Sequence, residues 1–118
     1  MIGRVRDRAT FQALRAARRR VRRGPVTVTF LAQDAAEARA AFAISRKVGG
    51  AVVRNRVRRR LRAILQEIER GDAGALAPGA YLISVRPQAT TLSFRELSEL
   101  VESACVAAAD PAHQEVGR

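Results

Sequence analysis

The residues best equipped for chemistry in this 118-residue chain are cations, and they are clustered. Arg54, Arg56, Arg58, Arg59, Arg60 and Arg62 stand close together, with Arg46 and Lys47 shortly before them and no acid anywhere from 46 to 62, so that this segment carries +8. Residues 1–23 carry another +8, and the remainder of the chain is mildly acidic. A guanidinium is permanently charged and presents a planar fork of donors that matches phosphate oxygens, so the chemistry on offer is the binding of a polyanion. The formal net charge of +11 exceeds what solubility asks for. Lys47 is the only lysine, and arginine replaces lysine outside the clusters as well as within them. Arginine usage is therefore mainly a property of the whole chain, whereas the clustering of charge belongs to the site.

Little in the chain could break a bond unaided. A protein nuclease usually needs grouped carboxylates to hold a metal, or histidines for acid and base. Here the only histidine is His113, beyond Pro111, and the acids are scattered, Asp34 with Glu37 making a poor metal site. No cofactor or metal held by the protein is expected. Cys105 is the lone cysteine, which excludes an intramolecular disulfide and suits a cytoplasmic location. No apolar run approaches a membrane span, and the opening MIGRVRDRATF lacks the apolar segment of a signal peptide. That opening is arginine-rich and acid-poor, as a transit peptide is, but an equally basic block lies mid-chain where no targeting segment would.

The elements that must position these cations can be read from periodicity and punctuation. Asp7 is placed to cap a short helix running to about Ala17, with Phe11 and Leu14 on one side. Arg18 to Arg23 is a basic connector with an extended piece around Val21, closed by Gly24-Pro25. Val26 to Phe30 alternates strictly, the pattern of a strand with one apolar face. After a polar connection from Gln33 to Ala38, residues Arg39 to Ser45 form a second strand with Phe42 and Ile44 on one face and Ala41, Ala43 and Ser45 on the other. Gly49-Gly50 ends that unit. Val52 to about Arg70 is the clearest helix, followed by a glycine-rich loop and a strand from Ala80 to Val85 that Arg86-Pro87 closes. Ser93 and Glu96 make a capping box with Leu92 and Leu97 as its staple. The helix they open runs to about Ala109, on an apolar stripe that includes Cys105 and so assigns it to packing. Helix, strands, helix, strand, helix is an α+β order for one domain with a small sheet. Whether residues 1–6 and 110–118 are ordered is left open.

On a helical wheel the mid-chain helix divides sharply. Val53, Val57, Leu61, Ile64 and Ile68 share a narrow stripe flanked by Leu65, and the arginines with Asn55 fan over roughly 240° of the remaining arc. Like charges four residues apart, such as Arg54/Arg58, Arg58/Arg62 and Arg56/Arg60, destabilise a helix by a few tenths of a kcal/mol per pair. A purely structural helix has no use for that repulsion, whereas an external polyanion relieves it.

The run Ser45-Arg46-Lys47-Val48-Gly49-Gly50-Ala51-Val52-Val53-Arg54-Asn55-Arg56-Val57-Arg58-Arg59 closely resembles the signature of the bacterial ribonuclease P protein component, whose RNR motif corresponds to Arg54-Asn55-Arg56. Weaker similarity at Phe11-Gln12, Gly24-Pro25, Pro78-Gly79 and Arg86-Pro87 covers most of the chain. The resemblance implies a four-stranded sheet flanked by three helices, with a left-handed crossover through the RNR helix, a connection rare enough that periodicity alone would not suggest it. It implies a cofactor protein in an endoribonuclease that removes the 5′ leader of precursor tRNA, with catalysis by the RNA subunit and its Mg²⁺. Arg46, Lys47, Arg54, Asn55, Arg56, Arg58, Arg59 and Arg62 would then face the catalytic RNA. A separate cleft between the first helix and the sheet, with Phe11, Arg15, Thr27, Thr29, Ala43 and Ser45, would hold the leader. Arg15 stands where many members carry a second aromatic, and Thr29 where Tyr or Phe is common. The competing reading of the residues alone is an RNA-binding module or ribosomal protein of another kind, with DNA and membrane partners disfavoured.

Overall fold

A computed structural model describes residues 2–17, 19–33, 37–71 and 76–111. Its elements are β1 (Gly3–Arg4), α1 (Arg8–Ala16), β2 (Arg20–Arg23), β3 (Val26–Leu31), β4 (Ala38–Ala43), a 3-10 turn at Arg46–Val48, α2 (Ala51–Arg70), β5 (Gly79–Val85), a second 3-10 turn at Pro87–Thr91 and α3 (Phe94–Ala109). The strands form one mixed sheet in the order β1-β4-β5-β3-β2. β4 lies parallel to both β1 and β5, and β3 antiparallel to both β5 and β2. The parallel pair β4/β5 is joined through α2, which is how the cationic helix comes to be anchored at the centre of the fold.

The sheet has five strands rather than the expected four. The addition is β1, a two-residue bridge that extends the β4 edge, with the Val5 amide donating to the Ala40 carbonyl at 3.1 Å. So short a strand has no periodicity to detect. It nevertheless orders the N-terminal segment, Ile2 packing toward the main core and Val5 toward the opposite side of the sheet.

The two sheet faces are unequally covered. On one, α2 and α3 close a core containing Val21, Val26, Val28, Phe30, Ala40 and Ile83 from the sheet, and Leu61, Ile64, Leu97 and Val101 from the helices. Fully burying a side chain such as Leu61 stabilises by roughly 1.5–3 kcal/mol relative to exposure. On the other face α1 packs down, over a small cluster of Leu14, Ala41, Ala80 and Leu82 with Val5, Phe11, Leu31 and Ala43 at its margin. The alternation of β3 is therefore only half the account of that strand. Val26, Val28 and Phe30 enter the main core as expected, but Thr29 is also only 4% exposed because α1 lies over it.

Polar contacts pin α1 in place. Asp7 caps the helix, accepting from the Thr10 amide at 2.9 Å and from the Thr10 hydroxyl at 2.5 Å. Those two bonds hold its carboxyl below the usual carboxylate range. Gln33 donates to the Thr10 hydroxyl at 3.2 Å, Arg39 donates to Gln33, and the Arg39 guanidinium returns to Asp7 at 3.6 Å. The closed ring ties the start of α1 to the ends of β3 and β4.

The strand expected over Arg39 to Ser45 begins one residue earlier and stops at Ala43. Ladder pairing with β5 ends at Ala43↔Ser84, and the backbone then bonds locally, the Val48 amide to the Ser45 carbonyl and the Gly49 amide to the Arg46 carbonyl. The capping box of α3 forms as read, Glu96 N to Ser93 Oγ at 3.1 Å and Ser93 N to Glu96 Oε1 at 2.9 Å. Cys105 is fully buried, and burial pushes its thiol up to about 12. The 72–75 part of the expected glycine-rich loop, together with Asp34 and His113, lies outside the described residues.

Candidate nucleic-acid interface

The cationic helix is built almost as the wheel requires. Val57, Leu61, Ile64, Leu65 and Ile68 are buried, and Val53 packs at the margin. The turn into α2 depends on Gly49, whose φ of 155° is one that L side chains rarely adopt. A Cβ there would also stand 2.8 Å from the Val53 side chain. Gly50 is the N-cap and supplies no side chain to the exposed amides, and the first turn holds no acid. Both choices leave the positive end of the helix uncompensated.

Around the exposed arc the side chains find few partners in the protein. Asn55, Arg56 and Arg59 are exposed, as are Arg46 and Lys47 in the preceding turn, while Arg54, Arg58 and Arg62 are half-buried. Among the described residues none of these six arginines, nor Lys47, forms an ion pair with a carboxylate. Arg58 donates to Asn55 Oδ1 at 2.8 Å, and the Arg62 guanidinium lies 5.5 Å from the centre of the Phe42 ring. The Nε of Arg54 is sealed from solvent without an acceptor in the protein. Desolvation first, and then the nearby Arg4 and Arg58, lower the Arg62 pKa from its ordinary value, the direction expected where cations crowd together. Arg60 differs, donating to the Leu92 carbonyl at 3.3 Å, so that it ties α2 to the start of α3. The eight residues assigned to this surface by resemblance are thus brought onto one helix and the turn before it.

The second set is assembled from β3, β4 with the residues just after it, and α1. Strand register places Arg22, Thr27, Ser84 and Ala43 in one row across β2, β3, β5 and β4, and Arg20, Thr29, Leu82 and Ala41 in the next. Both rows belong to the face that α1 only partly covers. α1 closes over the second row, which leaves Thr29 buried as floor beneath the helix, not as an accessible wall. In the first row Thr27, Ser84 and Ala43 stay partly open, and Ser45 is exposed just beyond. Phe11 sits half-buried at the helix edge with the Arg15 guanidinium 5.5 Å from its ring centre. The two line a hollow of about 460 Å³ with Arg6, Asp7, Arg8 and Gln12. The hollow belongs to α1 and the segment before it and offers an aromatic face and cations, which suit an unpaired nucleic acid strand, whereas Thr27, Ala43 and Ser45 lie on the sheet outside its lining.

Four residues on this face went unread in the sequence: Ser84, Arg86, Arg20 and Arg22. The signal for them was alternation. Ile83 and Val85 enter the main core, which turns Ser84 and Arg86 to the open face, and buried Val21 does the same for Arg20 and Arg22. Only register shows that Arg22 and Ser84 share a row with Thr27 and Ala43, while Arg20 falls in the next. Arg4, beside Arg62, was missed for want of any pattern around it.

Comparison with known proteins bears on the family and the fold. The Ribonuclease P family matches residues 3–109. The ribonuclease P protein component of Thermobifida fusca is 38% identical over 120 residues, covering 94% of this chain and 79% of its own length. That of a Nocardioides species is 39% identical over 104 residues, covering 84% and 85%. The RNase P protein from Thermotoga maritima superposes with a TM-score of 0.75 at 19% identity over 87% of this chain and 94% of that one, a likeness of fold. The family match extends over nearly the whole described chain, including the arginine-covered arc of α2 and the partly covered sheet face: this protein belongs to the ribonuclease P protein component family.

Proposed function

We propose that the chain serves ribonuclease P through two surfaces, binding the catalytic RNA with one and the 5′ leader of precursor tRNA with the other. Family membership makes it part of an endoribonuclease that processes tRNA and a partner of that enzyme's RNA. Arg46, Lys47, Arg54, Asn55, Arg56, Arg58, Arg59 and Arg62 take the RNA subunit. Phe11 and Arg15 grip leader bases above the floor of Thr27, Ala43 and Ser45, with Thr29 supporting from beneath. The observation that carries this reading is the arginine-covered arc of α2, which lacks carboxylate partners among the described residues.

Chemistry is assigned to the RNA with its Mg²⁺. In this reading no step is placed on the protein. What the protein contributes is charge. Cations beside the RNA lower the concentration of divalent ions needed to fold it and to approach the substrate. The cytoplasm, where precursor tRNA is processed in bacteria, is the compartment this role requires. No helix among the described residues is long and apolar enough to cross a membrane.

The test is reconstitution at low Mg²⁺. The purified chain is expected to leave precursor tRNA intact, and to restore 5′ cleavage when added to its cognate RNA. Cleavage by the chain alone would overturn the division of labour, and absence of rescue with tight binding to ribosomal RNA would favour a ribosomal role. Phe11→Ala is expected to weaken binding only of substrates that carry a leader, and equal losses on leaderless substrates would remove the cleft from the scheme.

A further inference from the structure

We infer that Arg20 and Arg22, on the edge strand β2, form a distal clamp for single-stranded RNA that has already crossed the open sheet face. The inference rests on the leader-cleft reading and extends it to a second contact that fixes the direction in which the strand runs.

The geometry begins with the row Arg22, Thr27, Ser84, Ala43. At the β4 end the chain continues through exposed Ser45 into Arg46 and Lys47, which adjoin α2. At the other end lies β2, the outermost strand. Val21 is 2% exposed in the main core, and Arg23 Nε reaches Ser103 Oγ of α3 at 3.3 Å, so odd-numbered residues of β2 face the helices. Arg20 and Arg22 therefore project on the opposite, open face, and both are exposed. Among the described residues neither meets a carboxylate. Arg22 donates only to the Gly24 carbonyl at 3.3 Å, and Arg20 has no partner.

Between these two cationic ends the floor is small and uncharged: Thr27, Ser84 and Ala43. Three interstrand gaps make it about 14 Å wide. α1 walls one side with Phe11 and Arg15, and exposed Arg86, just past the end of β5, lies on the other. A phosphodiester chain in this trough meets positive charge where it enters and where it leaves, with its bases turned toward Phe11 between. Because Arg46 and Lys47 adjoin the helix assigned to the catalytic RNA, that end lies nearest the cleavage site. Arg20 and Arg22 then meet the nucleotides farthest from it.

The experiment uses the reconstituted holoenzyme with precursor tRNAs whose leaders lengthen one nucleotide at a time. The variant is Arg20→Ser with Arg22→Ser, in a strand whose core contact, Val21, is untouched. The expected result is unchanged affinity for short leaders and a loss of roughly three- to tenfold once the leader is long enough to reach β2, as for two exposed charge contacts. For long leaders the log–log salt slope should fall by about 1.4, two single-strand phosphates at about 0.7 each. No effect at any length, or an equal loss at all lengths, overturns the clamp. Phe11→Ala run in parallel separates the two ideas. If it is leader-dependent while the β2 variant is silent, the clamp alone fails, whereas a Phe11 variant indifferent to the leader removes the cleft itself.

Discussion

Helices α2 and α3 lie on the same side of the same sheet and share one core, yet they are built to opposite ends. α3 opens with Ser93 and Glu96 satisfying each other's amides, places Glu96 at its positive end, and pairs Arg95 with Glu99 four residues on at 3.5 Å. These are local devices that stabilise a helix for its own sake. α2 has none of them in its first turns: a glycine cap, no acid, and arginines at four-residue spacing. Its buried ridge of Val57, Leu61, Ile64, Leu65 and Ile68 holds it in place despite that. Packing energy lets a helix carry surface chemistry that its own local propensities oppose. A helix with little surface to offer keeps the local stabilisation instead.

The comparison can be broken most severely at the ridge. Leu61→Ala should lower stability by about 2–5 kcal/mol, since Leu61 is fully buried and a cavity would remain. Thermal unfolding of the isolated chain measures it, and a loss below 1 kcal/mol would mean that the ridge does not anchor α2. Next in size is Arg54→Ala with Arg56→Ala. Affinity for the RNA subunit should fall by roughly tenfold per lost contact, whatever the leader length, with Tm unchanged or slightly raised as like charges are removed. A large fall in Tm with RNA affinity intact would make these arginines structural. On α3, Ser93→Ala should cost about 1 kcal/mol through the cap, with no change in RNA binding.

Two smaller effects sharpen the contrast. Gly50→Asp places on α2 the cap that α3 already has. It should gain a few tenths of a kcal/mol in stability while weakening RNA binding, because a carboxylate would then occupy the positive helix end. A gain in both would contradict the exchange of stability for binding. The capping box also has a pH signature. Hydrogen bonds to the Ser93 amide and hydroxyl hold the Glu96 carboxyl below its ordinary value, so its contribution is present above that ordinary value and disappears as pH falls through the lowered one. Wild type and Glu96→Gln should differ in Tm near neutrality and converge in acid, and a difference that persists in acid would assign the stabilisation to packing.

Much of this protein follows from residue order alone. Three helices, their caps and the two-sided character of α2 are local properties, set by which side chains fall three and four residues apart. The placing of Cys105 in the core rests on the same short-range patterns, and the motif whose resemblance proposes Arg46, Lys47 and the α2 residues as RNA-facing lies within one helix and the turn before it. The sheet face proposed for the leader is different. Thr27, Ser84, Ala43 and Arg22 lie far apart in the chain and become a row only when β2, β3, β5 and β4 align in register. Whether Thr29 is reachable depends on where α1 comes to rest, and that is governed by the ring of Asp7, Thr10, Gln33 and Arg39. Periodicity reports which face of an element is apolar, but it carries no information about which strands become neighbours. Hydrogen bonding and packing between distant segments decide that, and with it the shape of the sheet face on the α1 side.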